Sequence, residues 1–468
     1  MAEYRTLPED TQRMPSGVPY IVGNELAERF SFYGMRAILV VFMTTHLRDA
    51  SGALAPMTPE QAKTAFHTFG MTAYFMPLLG AILSDAWLGK YRTIMIISLG
   101  YCLGHAALAV DDTRLGLFIG LTLIAIGAGG IKPCVSAHVG DQFGPRNQHL
   151  LERVFGWFYF SINLGSFASQ LLIPVLLHRS GPVLAFAIPG ILMGLATLIF
   201  WMGRNRFAHI PPAGTGFVRE LIHEPGRSYV LRLLALTCFI SMFWALSEQH
   251  GSAWVLQAER MDRELFGVTW LPSQVQAINP VLVLTFIPLT SYVIYPAVGR
   301  VFRLTALRKI GIGFLFTAAA FTISAFIEAR LDAGAHLHIV WQLFAYVLMT
   351  FAEVLIYGTG LEFFYSQAPN RLKSFVMAIF LLSISIGNGV AALVNLVIQD
   401  EQGHSRITGA SYYLTFAGLM LLTCALFSLY ARGFREHRFV QGADDTGTGD
   451  PRRAVAANDP SEPEGARS

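Results

Sequence analysis

Apolar runs recur along the chain, beginning near Tyr20, Phe66, Thr93, Leu115, Val154, Val183, Leu233, Gln274, Ile310, Ile339, Phe375 and Thr408. A helix that crosses the ~30 Å hydrocarbon layer of a bilayer needs about 20 mostly apolar residues. Helices that are apolar all round are buried in a large core or in lipid. Twelve such runs in one chain exclude a soluble core helix as the general explanation and predict an all-α membrane protein with 12 transmembrane helices.

Composition supports this reading. Of 468 residues, 53% are hydrophobic and 14% charged, with mean hydropathy +0.47, whereas a soluble chain carries roughly 25% charged residues. The first run has acidic and basic residues near its start and is preceded by Pro15 and Pro19. It lacks the charged head and small-residue cleavage site of a secretory signal, so it reads as a retained helix. The four cysteines, Cys102, Cys134, Cys238 and Cys424, fall in apolar runs without metal-like spacing, and read as buried thiols. No metal and no cofactor is expected.

The charge of +3 is a topology signal. Of the 34 Lys and Arg, Arg29, Arg36 and Lys132 lie within runs; of the rest, 23 fall on the side of the chain ends and 8 on the other. Positive residues collect in cytoplasmic loops, so both termini are expected in the cytoplasm and the protein in a cell (inner or plasma) membrane. This asymmetry replaces any nucleic-acid reading of the basic balance.

The longest break between runs, 203–228, carries Arg204, Arg206, Pro211, Pro212, Gly214, Gly216 and Pro225 and reads as a cytoplasmic linker. The expected division is 1–202, a first six-helix bundle; 203–228, the linker; 229–441, a second six-helix bundle; and 442–468, a disordered tail rich in Asp, Pro, Gly and Ala. Each half has a basic loop after its second run, GKYR at 89–92 and FRLTALRK at 302–309. Matched halves of this kind suggest parallel repeats with the major facilitator superfamily fold.

Charges inside the membrane cost about 2.5–3.5 kcal/mol each on insertion scales and default to functional hypotheses. Here they occur in the first run (Glu25, Glu28, Arg29, Arg36), the fourth (Lys132), the seventh (Glu248) and the tenth (Glu353, Glu362). Every third span is thus charged, as expected if the first helix of each triplet lines a central cavity. Glu25, Glu28, Arg29, Phe32, Tyr33 and Arg36 are read as one helical stripe. Two carboxyls and a guanidinium out of water must share protons, and can exchange one near neutral pH. The basic groups Arg36 and Lys132 lie in the first half and the acidic groups Glu248 and Glu353 in the second. A zwitterionic guest would match that polarity end to end.

ELAERFSFYGMR (25–36) resembles the ExxERFxYYG signature of the proton-dependent oligopeptide transporter family, and FYFSINLGSF (158–167) resembles that family's FYxxINxGS signature. GAILSDAWLGKYRT (80–93), AGGIKPCVS (128–136), FWALSEQHGSAWVLQA (243–258), AINP (277–280) and TGLEFFYSQAPNRLKS (359–374) extend the resemblance through both halves. It implies a symporter, not an enzyme, that imports di- and tripeptides with protons by alternating access.

At matching positions the resemblance makes Glu25, Glu28 and Arg29 the proton-coupling cluster. Arg36 and Lys132 would meet the peptide carboxylate and Glu353 its ammonium. Tyr33, Tyr74, Asn163, Trp254 and Asn279 would line the pocket, and Arg36–Glu248 and Lys132–Glu353 would pair across the halves when the outside is closed. AFHTF (65–69) resembles the His-bearing subgroup, which includes animal members, and implies a proton role for His67, seven residues before Tyr74 and on the same face. Glu362 is a second possible pocket acid. His250, two residues after Glu248, should point elsewhere.

Three departures stand out: Phe32 where the family has Tyr, a linker too short for two extra helices, and no Lys in the eighth run. The expected partners are di- and tripeptides, peptide-like drugs and the bilayer, with a monomeric protein. The alternative is the same fold carrying nitrate, histidine or a peptide-like drug; nitrate would leave Glu353 without a purpose. No Ser–His–Asp set, metal cluster or phosphate loop points to an enzyme.

Overall fold

The computed structural model describes residues 4–212, 214, 226–366 and 373–434. Part of the expected linker (213 and 215–225), the tail 442–468 and 367–372 of the segment 359–374 lie outside the described residues. Among the described residues the regular structure is helical apart from one short hairpin, Glu264–Leu265 with Val268–Thr269.

The first half contains α1 (Val18–Thr45), α2 (Pro59–Leu83), α3 (Lys90–Val110), α4 (Arg114–Gly140) and α5 (Leu151–Met202). The second contains α6 (Gly226–Ser247), α7 (Ala253–Glu259), α8 (Ile278–Leu289), α9 (Tyr295–Gly299), α10 (Ala306–Asp332), α11 (Val340–Glu353), α12 (Thr359–Ser366), α13 (Lys373–Val397) and α14 (Ala410–Gly433). Helix starts follow from capping chemistry. Thr58 and Gln61 form a reciprocal capping box before Pro59, and Thr113 and Thr305 accept from the backbone amides three residues on, satisfying donors that a helix start leaves free.

The 52 residues of α5 would make a rod of ~78 Å at 1.5 Å per residue, over twice the hydrocarbon thickness. The helix breaks at Gly181, with φ 77° and ψ −178°, a conformation open to glycine because it has no Cβ. Pro182 then starts the next stretch with its fixed φ. Among the described residues, ten helical segments are long and apolar enough to cross a membrane. Twelve is reached only if α1, excluded by its charges, is counted and α5 is counted twice.

Small residues let the helices approach closely. A Cβ on Gly80 would sit 2.4 Å from the Gly130 carbonyl oxygen, whereas one on Gly23 would meet nothing within 4 Å. Overpacking costs about 1–3 kcal/mol. Gly80→Val is therefore expected to lower the melting midpoint of the detergent-solubilised protein, with Gly23→Val close to wild type, as read by tryptophan fluorescence on heating.

Each half buries its own apolar cluster, one from Val18 to Phe207 and the other from Leu233 to Phe427. The halves meet on the side away from the chain ends. Thr58 Oγ1 donates to the Gly403 carbonyl (2.6 Å), Ser385 Oγ to Met71 (2.7 Å) and Gln274 Nε2 to Leu171 (2.9 Å), while Gln399 Nε2 donates to Thr64 Oγ1 (2.8 Å). Lys63 places its ammonium 4.0 Å from the Tyr412 ring centroid. Among the described residues, these contacts join the halves from the far ends of α2, α13 and α14 down to the middle of α2 and α13, where Ser385 meets Met71.

Buried charge is not confined to every third span. Lys63 on α2 and Glu328 on α10 are both buried, the first against Tyr412, the second bonded to Arg260 and to Gln257 Nε2 at 2.7 Å. Their places near helix ends hid them from a reading that looked only at run interiors.

Candidate functional site

On α1, Arg29 Nε donates to Glu25 Oε1 at 2.6 Å and lies 3.1 Å from Glu28 Oε2. The second contact is an ion pair without hydrogen-bond alignment, for neither Glu28 oxygen has a hydrogen-bond partner. The polar residues of α1 form two faces rather than the expected single stripe. At 100° per residue, Glu25, Arg29 and Arg36 lie together. Glu28 stands about 60° away from Glu25, on the side toward Asn24 and Ser31, which lie about 40° and 60° further round.

One helical turn above Tyr33, Arg36 bonds Glu248 across the two halves, with both side chains buried. The Arg36 guanidinium lies 4.8 Å from the Phe66 ring centroid, and Gln276 Nε2 reaches the Ala37 carbonyl at 3.4 Å. This is the first of the two expected cross-half pairs.

The second pair is not formed. Lys132 Nζ has no hydrogen-bond partner and rests between the rings of Phe32 (3.9 Å) and Tyr74 (4.4 Å). Glu353 instead accepts from Asn279 Nδ2 at 2.9 Å, and Asn279 also donates to Thr350 Oγ1 at 3.1 Å. The aromatic faces supply the electrostatic attraction that a carboxylate would otherwise give. The ring of Phe32 serves this purpose without the hydroxyl that the family carries there. Immediately after Glu353 the helix widens into a π turn, Val354–Gly358, a distortion that often re-aims side chains at functional sites.

His67, like Tyr74 on the same helix, is turned toward the second half. Its Nδ1 lies 3.0 Å from Asn388 Oδ1 and its Nε2 2.9 Å from Ser252 Oγ, both in the second half. The Asn388 amide nitrogen is used by the Ile384 carbonyl (3.0 Å), so Oδ1 must accept from His67 Nδ1–H. A neutral ring then accepts from Ser252 at Nε2.

Trp254 corrects the expected pocket. It is 1% exposed and packs against Phe321 and Tyr346 inside the second half's apolar cluster. Trp244 belongs to the same cluster, edge-on to Tyr357, and like Trp254 has a buried, unpartnered Nε1. Tyr357 also packs against Phe380, 5.5 Å between ring centroids. Asn163 donates to the Tyr159 carbonyl at 2.9 Å. Trp244, Tyr159 and Tyr357 each lie four residues from an expected site residue (Glu248, Asn163, Glu353), so the i,i+4 rule could have found them. Glu362 is exposed and stands apart from this group. His250 turns its Nδ1 to the Ser247 carbonyl at 2.6 Å.

The fold and the charges buried between its halves define an all-α, multi-pass membrane protein of the major facilitator class. The family model described as POT family matches residues 91–223 and 223–410, and the chain belongs to that family. It is similar to "Peptide transporter family 1" of Drosophila melanogaster, 38% identical over 69% of this chain and 49% of the relative. It is also similar to "Solute carrier family 15 member 2" of Homo sapiens, 36% identical over 69% and 50%. The chain spans about half the length of these curated relatives. It superposes on the crystal structure of an auto-inhibited POT family peptide transporter with TM-score 0.83, 35% identity, covering 92% of this chain and 99% of that one. Another POT family structure gives TM-score 0.74, 36% identity and 88% and 100% coverage.

Proposed function

We propose that the protein is a proton-coupled symporter that imports di- and tripeptides by alternating access. The observation that carries this reading is the unequal state of the two expected cross-half pairs. Arg36 and Glu248 are joined, while Lys132 is held only by aromatic rings and Glu353 only by an amide. A cation and an anion are thus left facing the same interface from opposite halves. A zwitterionic peptide supplies the missing partner to each, its carboxylate at Lys132 and its ammonium at Glu353, with Tyr33, Tyr74, Asn163 and Asn279 bonding the backbone. Because main-chain groups are shared by all peptides, such a site accepts many sequences.

Glu25, Glu28 and Arg29 serve as the proton-coupling cluster, and His67 links proton handling to the closed side through Ser252 and Asn388. With both termini in the cytoplasm, as the positive-inside bias supports, the closed side is extracellular and the site opens inward. The two bundles, 1–202 and 229–441, would rock about it as a monomer in the cell membrane, with protons as the coupling ion and no cofactor.

The test is uptake of labelled dialanine into proteoliposomes, with nitrate and histidine as competitors. Dialanine accumulation that neither competitor blocks supports the reading; accumulation of nitrate or histidine in its place refutes it. Glu353→Gln is expected to weaken dialanine binding about tenfold or more, since a charge-assisted bond carries about 1.5–3 kcal/mol, and to change N-acetyl-dialanine binding little. Equal losses for the two ligands, measured by calorimetry, would remove the ammonium assignment.

A further inference from the structure

The second polar face of α1 has a counterpart on α3. α1 runs antiparallel to α2, as Phe32 against Phe69 and Arg36 over Phe66 show. α3 runs antiparallel to α4, with Gly104 against Ile124 and Gly127 against Tyr101. α2 and α4 are parallel, with Gly129 on Ala73 and Cys134 on Gly80. α1 and α3 are therefore parallel. Asn24, Glu28 and Ser31 then climb in register with Ser98, Tyr101 and His105, and all six are buried.

One contact fixes the register: His105 Nε2 lies 2.9 Å from Ser31 Oγ. Ser31 gives its own proton to the Pro189 carbonyl at 2.9 Å, so His105 must donate from Nε2 and keeps a bare lone pair at Nδ1. Below that contact the seam is unsatisfied. Both amide atoms of Asn24, both oxygens of Glu28, the hydroxyls of Ser98 and Tyr101, and His105 Nδ1 are buried without hydrogen-bond partners. Buried polar groups are rarely left so, and clusters of them with several donors and acceptors hold ordered water.

We propose that this α1–α3 seam is a hydrated compartment in which bound water, held by Asn24 and Tyr101, stabilises the ionised Glu28 carboxylate. The inference rests on the reading of Glu28 as a proton carrier. The titratable and charged groups around Glu28 are Arg29, Glu25 and Tyr33 on its own helix, Lys132 on α4 and Tyr101 on α3, with His105 one turn beyond against Ser31. α5 brings Gly165, Ser169 and Pro189 to α1 and no ionisable side chain at those contacts. Asn24 and Tyr101 are positioning residues that act on Glu28 through water, on the side of α1 turned away from the peptide site. Proton release is thereby set by groups that never touch the peptide.

The experiment measures the pH dependence of gradient-driven dialanine uptake in proteoliposomes for wild type, Tyr101→Phe, Asn24→Leu and Glu28→Gln, with exchange between equal pools alongside. Donors that favour a carboxylate lower the pH at which it releases its proton. Removing them is expected to move the midpoint about one pH unit alkaline, the effect of one bond to a charged group, with KM unchanged at acid pH. A purely structural role would lower the rate without moving the midpoint. Intact exchange with an unmoved midpoint in both seam variants, while Glu28→Gln loses accumulation, overturns the seam alone. Full accumulation by Glu28→Gln overturns the reading of Glu28 and the seam with it. Should the seam variants fail to fold, the infrared difference between wild type and Glu28→Gln reads the Glu28 carboxyl directly. A lowered, deuterium-sensitive C=O band of a hydrogen-bonded acid is expected, and the high-frequency band of an isolated acid contradicts the proposal.

Discussion

Glu25→Gln and Glu28→Gln are each expected to reduce pH-driven accumulation of dialanine to the level reached without a gradient, while exchange between equal pools continues. Glutamine keeps the shape of the acid and its hydrogen bonds but carries no exchangeable proton. A gradient can bias a conformational equilibrium only through a group whose protonation differs between the two states. One proton moving down a tenfold gradient supplies about 1.4 kcal/mol, and hence about tenfold accumulation per pH unit. That whole factor is lost in each variant. The two need not behave alike, because Glu25 is bonded to Arg29 at 2.6 Å while Glu28 lacks a hydrogen bond. Retained accumulation in both variants would refute the coupling role.

Arg36→Met is expected to open the far side. Removing one partner of a buried ion pair leaves an uncompensated charge at a cost of about 3–5 kcal/mol, over 100-fold in the ratio of closed to open states. The remaining closure, through Thr58 and Gly403, Gln399 and Thr64, and Lys63 on Tyr412, is made of weaker contacts. Spin labels at Leu54 and Glu401, which are exposed on opposite halves, should report a longer separation in Arg36→Met and in Glu248→Gln. The double variant, with no orphaned charge, should return toward the wild-type distance. An unchanged distance in both single variants would show that the pair does not hold the closed side.

The fold was readable from hydrophobicity because lipid imposes one requirement: spanning backbone must satisfy itself as helix. The division into halves followed from charge, because Arg204, Arg206 and Pro211–Pro212 interrupt the runs. Residue identity at the site was legible for the charges, since Glu28, Lys132, Glu248 and Glu353 are too costly in a membrane to be incidental. Geometry was less so. A stripe drawn on α1 could not separate Glu28 from Glu25, because which neighbour each faces depends on α3 and its Ser98, Tyr101 and His105. Nor could sequence show that Trp254 turns into its own half, against Phe321 and Tyr346. The pairing of Lys132 differs from the expectation: with the far side closed, the state in which it would meet Glu353, it rests on Phe32 and Tyr74 while Asn279 takes the carboxylate.

The most direct test of the central claim, that a dipolar guest and a proton cross together through the charges between the halves, reads the proton rather than the peptide. Proteoliposomes with equal pH on both sides and a trapped pH-sensitive dye are given an inward dialanine gradient. The account predicts that the lumen acidifies as dialanine enters and that Glu28→Gln vesicles show no acidification. Entry of dialanine into wild-type vesicles with no change of internal pH would contradict it.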